Sequence, residues 1–163
     1  MTLLSRDLLQ GTPDETAILQ EAFSQLQAID AGKTIADAIQ EKGTTIKFGS
    51  TDEDAIAQFD PAANEITIHE SLKEANPQVL AAHLAHEGTH LQLGDPSSAD
   101  DALDQEYQCF KAEAEVWNAV KGSEKDKICD DVSAMIKKGE ADAKADIRRR
   151  YDEEYFTRWN KKR

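Results

Sequence analysis

Apolar residues recur at helical spacing near the start of the chain and predict helix over residues 13–41. Pro13 followed by Asp14 is typical of a first helical turn. The positions that define the period are Ile18, Leu19, Phe23, Leu26, Ile29, Ile35, Ala38 and Ile39. Gly32 interrupts the pattern, so we expect two helices, of which the second ends at Gly43.

The pattern then changes from helical spacing to alternation, which is typical of strands. Residues 44–48 alternate between polar and apolar side chains. Residues 55–59 and 65–69 have the same character and flank the turn-rich segment 60–64, which favours a β-hairpin. We therefore expect a small sheet within residues 44–70.

Helical spacing returns at Pro77 and persists to Leu93, where a Gly-Asp-Pro sequence predicts the end of the helix. A Ser-Ser pair follows, with aspartates three residues further on, and this arrangement is typical of a helix cap. It predicts a second helix over about residues 98–121. Residues 124–160 predict one or two more helices.

Helices, a small sheet and then more helices form an α+β pattern. No internal repeat or low-complexity linker divides the chain, so we predict one domain over residues 1–163. Its predicted parts are the N-terminal helices (1–43), the small sheet (44–70), the metal-binding helices (77–121) and the C-terminal helices (124–163).

Charge and composition disfavour two classes of partner. The formal net charge is −13, which argues against nucleic acid and against an anionic membrane surface. Residues 144–163, the basic tail, carry a local charge of +4, and we expect a solvated helix face or docking on the acidic body. The first seven residues lack the features of a signal peptide, no apolar run is long enough for a membrane helix, and the two cysteines show no framework spacing. We therefore expect a cytoplasmic protein.

The clearest chemical signal is the sequence His86-Glu87-Gly88-Thr89-His90, which spells HExxH inside a predicted helix. The two histidines lie about 40° apart on adjacent turns, so both imidazoles can reach one metal ion. Glu87 lies beside them, where its carboxylate can hold a water without ligating the metal. A catalytic zinc needs this combination, because it leaves one position for water and lowers the pKa of that water to about 7.

The third ligand must come from the next helix, which carries several glutamates. If the two helices pack antiparallel about a turn near Pro96, Glu106 lies level with His86. Glu113 would then lie about 10.5 Å further along the helix axis, too far to ligate the same ion. We therefore predict one zinc ion held by His86, His90 and Glu106, with Glu113 as the alternative third ligand.

Several further residues are candidates for supporting roles. Peptide hydrolysis needs a group that stabilises the oxyanion, and the candidates are His69, His83, Tyr107, Tyr151 and Tyr155. For His83 we favour a partly buried or rim position, with donation to an acid or a second metal as alternatives. His69 is predicted to be an exposed histidine at a strand end. Cys109 is predicted to be a small apolar residue that faces the neighbouring helix.

HExxH on one helix, followed on the next by Glu-Tyr-x-small at residues 106–109, resembles the gluzincin branch of zinc metallopeptidases and its minimal bacterial domains. The resemblance covers about residues 44–121. It implies the zincin fold, one catalytic zinc bound by His86, His90 and Glu106, and Glu87 as the general base. It also implies that the strand around residues 66–68 is the edge strand of the cleft, to which an extended peptide would add.

The chain departs from the gluzincin pattern at two positions. One is Gln92, two residues after the last histidine, where zincins often have a hydrophobic residue. Many gluzincins place an acid four residues after the ligand glutamate to orient a histidine, and here that position is Phe110. A partner for the histidine must therefore come from elsewhere in the chain. No histidine follows His90, which excludes the metzincin pattern with its third histidine.

Taken together, the residues predict a zinc-dependent metallopeptidase that cleaves a peptide or protein substrate with a zinc-bound water activated by Glu87. A second interpretation is a zinc-binding domain that is catalytically silent or autoinhibited by the basic tail. A third is a non-enzymatic helical interaction module. Its HExxH would be accidental and bind no metal, or structural, with a further protein ligand that closes the metal site. The sequence leaves the oligomeric state open.

Overall fold

A computed structural model describes Leu4 and residues 6–158. Its helices and strands in chain order are α1 (Pro13–Gln27), α2 (Asp30–Glu41), β1 (Thr45–Gly49), β2 (Ala57–Asp60), β3 (Glu65–His69), α3 (Pro77–Leu93), α4 (Ala99–Val120), α5 (Lys127–Lys137), α6 (Glu140–Arg150) and α7 (Glu153–Thr157). The predicted α+β class is confirmed, with a small sheet that precedes a mostly helical part. The C-terminal region forms three helices instead of one or two, and residues 159–163 of the basic tail lie outside the described residues.

The break between the first two helices was placed wrongly at Gly32. The chain leaves helical geometry at Ile29, which caps α2 with extended backbone, and Gly32 lies in the first turn of α2. A Cβ at Gly32 would come within 2.2 Å of the Leu26 carbonyl oxygen. The glycine is therefore needed for close packing of α2 against the end of α1, not for ending a helix.

The sheet has the strand order β1-β3-β2, so the hairpin strand β3 is central. It pairs in parallel with β1 and antiparallel with β2. The expectation that residues 66–68 form an edge strand is wrong, because both edges of β3 are hydrogen-bonded to neighbours. The edge strands are β1, whose outer side bridges to Leu9, and β2.

The hairpin that joins β2 and β3 is confirmed. Asp60 lies opposite Glu65, and the Asp60 side chain accepts hydrogen bonds from the backbone of Ala62 and Ala63. Asn64 closes the turn in the left-handed region, with φ 52°, a conformation that asparagine tolerates better than most residues. This turn chemistry fixes the register of the two strands.

The two long helices form the centre of the molecule. α3 matches the predicted bounds, and twelve of its residues are buried, so it is covered on nearly all sides. The cap of α4 is confirmed, since the Ser98 hydroxyl accepts from the backbone of Asp101. His83 lies near Glu113 and His90 near Glu106, which shows that the helices run antiparallel as predicted.

Among the described residues, the two larger of three apolar clusters pack on either side of the long helices. The first joins α1, α2, the sheet and α3, and the second joins α4 to α5, α6 and α7. The candidate site therefore lies between the two cores. Within the part of the chain that the structure describes, no helix has the length and apolar character that crossing a membrane requires.

Candidate metal centre

α2 packs closely behind the turn of α3 that carries His86 and His90. A Cβ at Gly88 would come within 2.3 Å of Ile35 Cγ2, so only glycine lets α2 approach this turn. Thr89 satisfies its hydroxyl by donating to the carbonyl of Ala85 at 2.7 Å. Gly88 and Thr89 thus serve packing, while His86 and His90 face Glu106 on α4.

The structure brings the predicted ligands together. The Oε2 atom of Glu106 lies 3.3 Å from Nε2 of His86. The Oε1 atom of the same carboxylate lies 3.0 Å from Nε2 of His90. Glu87 is buried beside them, 7% exposed. The register of the antiparallel helices, which predicted Glu106 at this depth, is therefore correct.

Two tyrosines from the C-terminal helices hold Glu106 from the other side. The hydroxyl of Tyr151 donates to Oε2 at 3.1 Å, and that of Tyr155 donates to Oε1 at 2.5 Å. The two rings stack with their centroids 4.5 Å apart. Glu106 is 1% exposed as a result, and each of its oxygens contacts one imidazole and one phenol.

Glu113 contacts His86, although the helix geometry predicted it about 10.5 Å further along the helix axis than Glu106. Its Oε1 atom lies 3.5 Å from Nδ1 of His86 and 3.4 Å from Nδ1 of His83. His83 is 4% exposed, so it is more deeply buried than the predicted rim position. Glu113 and Glu106 therefore contact different nitrogens of one imidazole.

Cys109 is a candidate ligand that the sequence analysis missed. Its sulfur belongs to a group with one nitrogen each of His86 and His90, and the three atoms all lie within 4.8 Å of one another. It faces the neighbouring helix and is fully buried, as predicted for an apolar residue. The signal was available, because Cys109 lies three residues after Glu106 and so shares its helix face.

Carboxylates and imidazoles stabilise one another's charged forms in this cluster. Burial disfavours the charged form of His86, but Glu106 and Glu113 outweigh burial and raise its pKa well above the ordinary value. Burial is likewise outweighed at His90, where Glu106 raises the pKa. A metal ion would take the place of the imidazole protons, because metal ligands must be deprotonated.

The three buried glutamates differ in how readily they accept a proton. Burial acts to raise the pKa of Glu106, but His90 and His86 hold it well below the ordinary value. At Glu113, burial also acts to raise the pKa, but His83 and His86 prevail and lower it to about 2. At Glu87 burial prevails over both histidines and raises the pKa. Glu87 is therefore the carboxylate best suited to accept a proton.

The thiol of Cys109 has the opposite environment to the imidazoles. Burial raises its pKa well above the ordinary value, and the negative charges of Glu106, Glu87 and Glu113 raise it further. A thiolate at this position requires a nearby cation, which a bound metal would provide. Cys109 therefore has the chemistry of a ligand and not that of a free nucleophile.

The remaining candidates are separated by the fold. Of the predicted oxyanion stabilisers, only Tyr151 and Tyr155 have hydroxyls at Glu106. The ring of Tyr107 instead lies 5.6 Å from the Lys144 ammonium. His69 ends β3 and caps a short 3₁₀ turn by accepting from the backbone of Ser71.

Comparison with protein-family models, curated proteins and solved structures found no match to this chain. The class of site is therefore defined by its own residues. The buried His86 and the partly exposed His90 on α3, together with Cys109 on α4, form a group that could hold a metal ion. The Glu106 carboxylate lies against the same two imidazoles.

Proposed function

We propose that the chain is a zinc-dependent metallopeptidase of the gluzincin type. The observation that carries this proposal is the contact of one carboxylate, Glu106, with Nε2 of both His86 and His90. Two imidazoles and a carboxylate are a donor set that catalytic zinc prefers, with one position left for water. The donor set therefore fits zinc, and these three residues would hold the ion.

Glu87 supplies the proton chemistry in this proposal. A bound zinc ion would act as a Lewis acid on the substrate carbonyl and would lower the pKa of a coordinated water. Glu87 then accepts a proton from water and donates it to the leaving amine, a role that its buried position and raised pKa support. Among the described residues, the outer edge of β2 pairs with no further strand, so an extended peptide would use β2 and not β3.

The C-terminal helices shield the site in the described arrangement, which favours the autoinhibited version of this function. Tyr151 and Tyr155 cover Glu106, while the side chain of His90 keeps 21% of its surface exposed. A peptide that binds across both histidines would meet these tyrosines. We propose that the segment with α6 and α7 moves away before substrate binds.

The test combines metal content with hydrolysis. The purified protein is expected to carry about one zinc per chain by elemental mass spectrometry, and H86A and E106Q should lose it. E87Q should keep the zinc and lose hydrolysis of a fluorogenic peptide library. E115Q is the matched control, because Glu115 is exposed on α4. Full hydrolysis by E87Q would contradict the mechanism.

Cys109 favours a second candidate function, a closed metal site without catalysis. If the Cys109 sulfur binds the metal together with His86, His90 and Glu106, four protein ligands fill a tetrahedral site and leave no position for water. Cobalt-substituted protein would then show a thiolate-to-cobalt charge-transfer band that C109S abolishes. Such a band in a protein without hydrolytic activity would favour this candidate over the peptidase.

A further inference from the structure

The ring of His86 lies between two carboxylates of α4. Its Nε2 atom is 3.3 Å from Glu106, and its Nδ1 atom is 3.5 Å from Glu113. These glutamates are seven residues apart, which separates them by about 10.5 Å along the helix axis while keeping them on one face. The two glutamate side chains approach the imidazole between them, so each of its nitrogens faces a different carboxylate.

The side of His86 that faces Glu113 is buried and has few other partners. Among the described residues, no hydrogen-bond partner was found for Nδ1 of His86 or for Oε2 of Glu113, although both atoms are buried. Glu113 is the carboxylate in reach of Nδ1. Buried polar atoms are costly without a partner, so a small adjustment that joins these two groups is favoured.

His83 also contacts Glu113, at the same carboxylate oxygen that faces His86. Its Nδ1 atom lies 3.4 Å from the Glu113 carboxylate, one turn before His86 on the same face of α3. Glu113 therefore lies between two imidazoles and is 3% exposed. This confinement limits the positions that its carboxylate can adopt.

We propose that Glu113 is a positioning residue for the metal centre, an inference that rests on the proposed zinc site. It accepts the hydrogen on Nδ1 of His86, with His83 holding the carboxylate in place. Nε2 of His86 is thereby left free of hydrogen and turned toward Glu106. Carboxylates that fix metal-binding histidines in this way typically contribute 10–100-fold to metal affinity.

The proposal explains how the chain does without an acid at position 110. Phe110 packs edge-on against His86, with ring centroids 4.6 Å apart. It restricts the tilt of the imidazole but offers no hydrogen-bond acceptor. Glu113, one turn further along α4, supplies the acceptor from the adjacent position on that face.

The test measures zinc affinity by competition with a chromogenic chelator. E113Q keeps the size of the side chain but removes its charge, and it should bind zinc about 10–100-fold more weakly than the unmodified chain. E115Q, at an exposed site on the same helix, should bind zinc as tightly as the unmodified chain. Unchanged affinity in a folded E113Q, as judged by its circular dichroism, would overturn the proposal.

A second measurement does not depend on the folding of a variant. In the zinc-loaded full chain, long-range ¹H–¹⁵N spectra should show hydrogen on Nδ1 of His86 and none on Nε2. Hydrogen on Nε2 would overturn the assignment of Glu113 even if E113Q does not fold.

The outcomes separate this proposal from the peptidase function. Affinity that depends on Glu113 in a protein that never hydrolyses peptides would support the positioning role and contradict the proposed activity. Peptide hydrolysis by a protein whose zinc affinity does not depend on Glu113 would support the proposed activity and contradict the positioning role. A chain that binds no zinc would overturn both.

Discussion

At the residue scale, the candidate ligands differ in the protons they must lose before they bind a metal. Neighbouring carboxylates outweigh burial and raise the pKa of both His86 and His90 above the ordinary imidazole value of about 6.5, so we expect both to carry a proton at about pH 6. Glu106 has a pKa far below that pH and brings no proton. Zinc binding at about pH 6 should therefore release about two protons per ion, as counted by calorimetry in buffers of different ionisation enthalpy.

The proton count also distinguishes the two candidate functions. The pKa of Cys109 is raised well above its ordinary value, so a Cys109 ligand would add a third proton. C109S serves as the control, because it should leave a count of two unchanged and reduce a count of three. Since protons compete with zinc at both histidines, affinity should fall as pH decreases. Affinity that is independent of pH would contradict a histidine site.

Gly88 provides a residue-scale test of the packing behind the site. Alanine is normally favoured over glycine in a helix by about 1 kcal/mol. Here a Cβ would lie 2.3 Å from Ile35 Cγ2, so we expect G88A to lower the free energy of unfolding by about 1–3 kcal/mol. Urea denaturation measures the change.

The matched control for G88A is the double variant G88A/I35A. I35A removes the atom that the new methyl group would contact, so the two substitutions together should cost less than the sum of their separate effects. A G88A protein that is more stable than the unmodified chain would contradict the close approach of α2 to α3.

Much of the site was predictable from helix geometry alone. The positions of His86 and His90 follow from a spacing of four residues, and the depth of Glu106 follows from two antiparallel helices joined by a short turn. Tyr151 and Tyr155 were not predictable as partners of Glu106, because they are 45 and 49 residues away and reach it only through tertiary packing. Such contacts leave no periodic signal in a single sequence.

At the element scale, the distinction between local sequence signals and tertiary contacts explains which parts of the fold were predicted correctly. The bounds of α3 follow from proline and glycine signals at its ends. The order of the strands in the sheet does not follow from such signals, because β1 pairs with β3 and not with β2, the next strand along the chain. Gly32 was misinterpreted for a related reason, since its packing against Leu26 is a contact between helices.

Asp130 joins α4 to α5 and provides an element-scale prediction. It accepts a hydrogen bond from the indole Nε1 of the buried Trp117 at 2.9 Å and another from the backbone of Asp126 at 3.2 Å. D130A would leave the indole donor without this partner. We expect a lower midpoint in urea for D130A and a smaller decrease for D130N, which keeps an acceptor.

The pH dependence of this contact has a definite sign. The hydrogen bond from Trp117 is the main cause that lowers the pKa of Asp130 in the folded chain. Its stabilisation is therefore present above the ordinary aspartate pKa of about 3.9 and is lost as pH falls through the lowered value. The difference between D130N and the unmodified chain should shrink at low pH. A constant difference would contradict the assignment.

At the scale of the whole molecule, the C-terminal helices connect the second apolar core to the candidate metal centre. Ile147 and Phe156 are buried in that core, which holds α6 and α7 in place. Lys144 and Arg148 of α6 also lie near Asp104 and Asp100 of α4, at 3.1 and 3.9 Å. These ion pairs are partly or largely exposed and contribute little to stability. Apolar packing and the two tyrosine hydroxyls therefore provide most of the interactions that hold α6 and α7 against α4.

Deletion of the hydroxyls of Tyr151 and Tyr155 should weaken the contact between the C-terminal helices and Glu106 without disturbing the apolar core. Y151F/Y155F keeps the stacked rings but deletes both hydrogen bonds to Glu106. We expect zinc to transfer to a chromogenic chelator at least about tenfold faster, because a hydrogen bond to a charged group contributes about 1.5–3 kcal/mol and about 1.4 kcal/mol corresponds to a factor of ten. Absorbance of the chelator complex follows the transfer in the full chain.

The control for this experiment is Y107F, because the ring of Tyr107 contacts Lys144 instead of the metal centre. It should release zinc at the rate of the unmodified chain. Faster release from Y151F/Y155F together with higher peptide hydrolysis would identify the C-terminal helices as the element that keeps substrate out. Equal release rates in all three proteins would contradict a role for Tyr151 and Tyr155 in closing the site, because deletion of their contacts with Glu106 would then leave access to the metal unchanged.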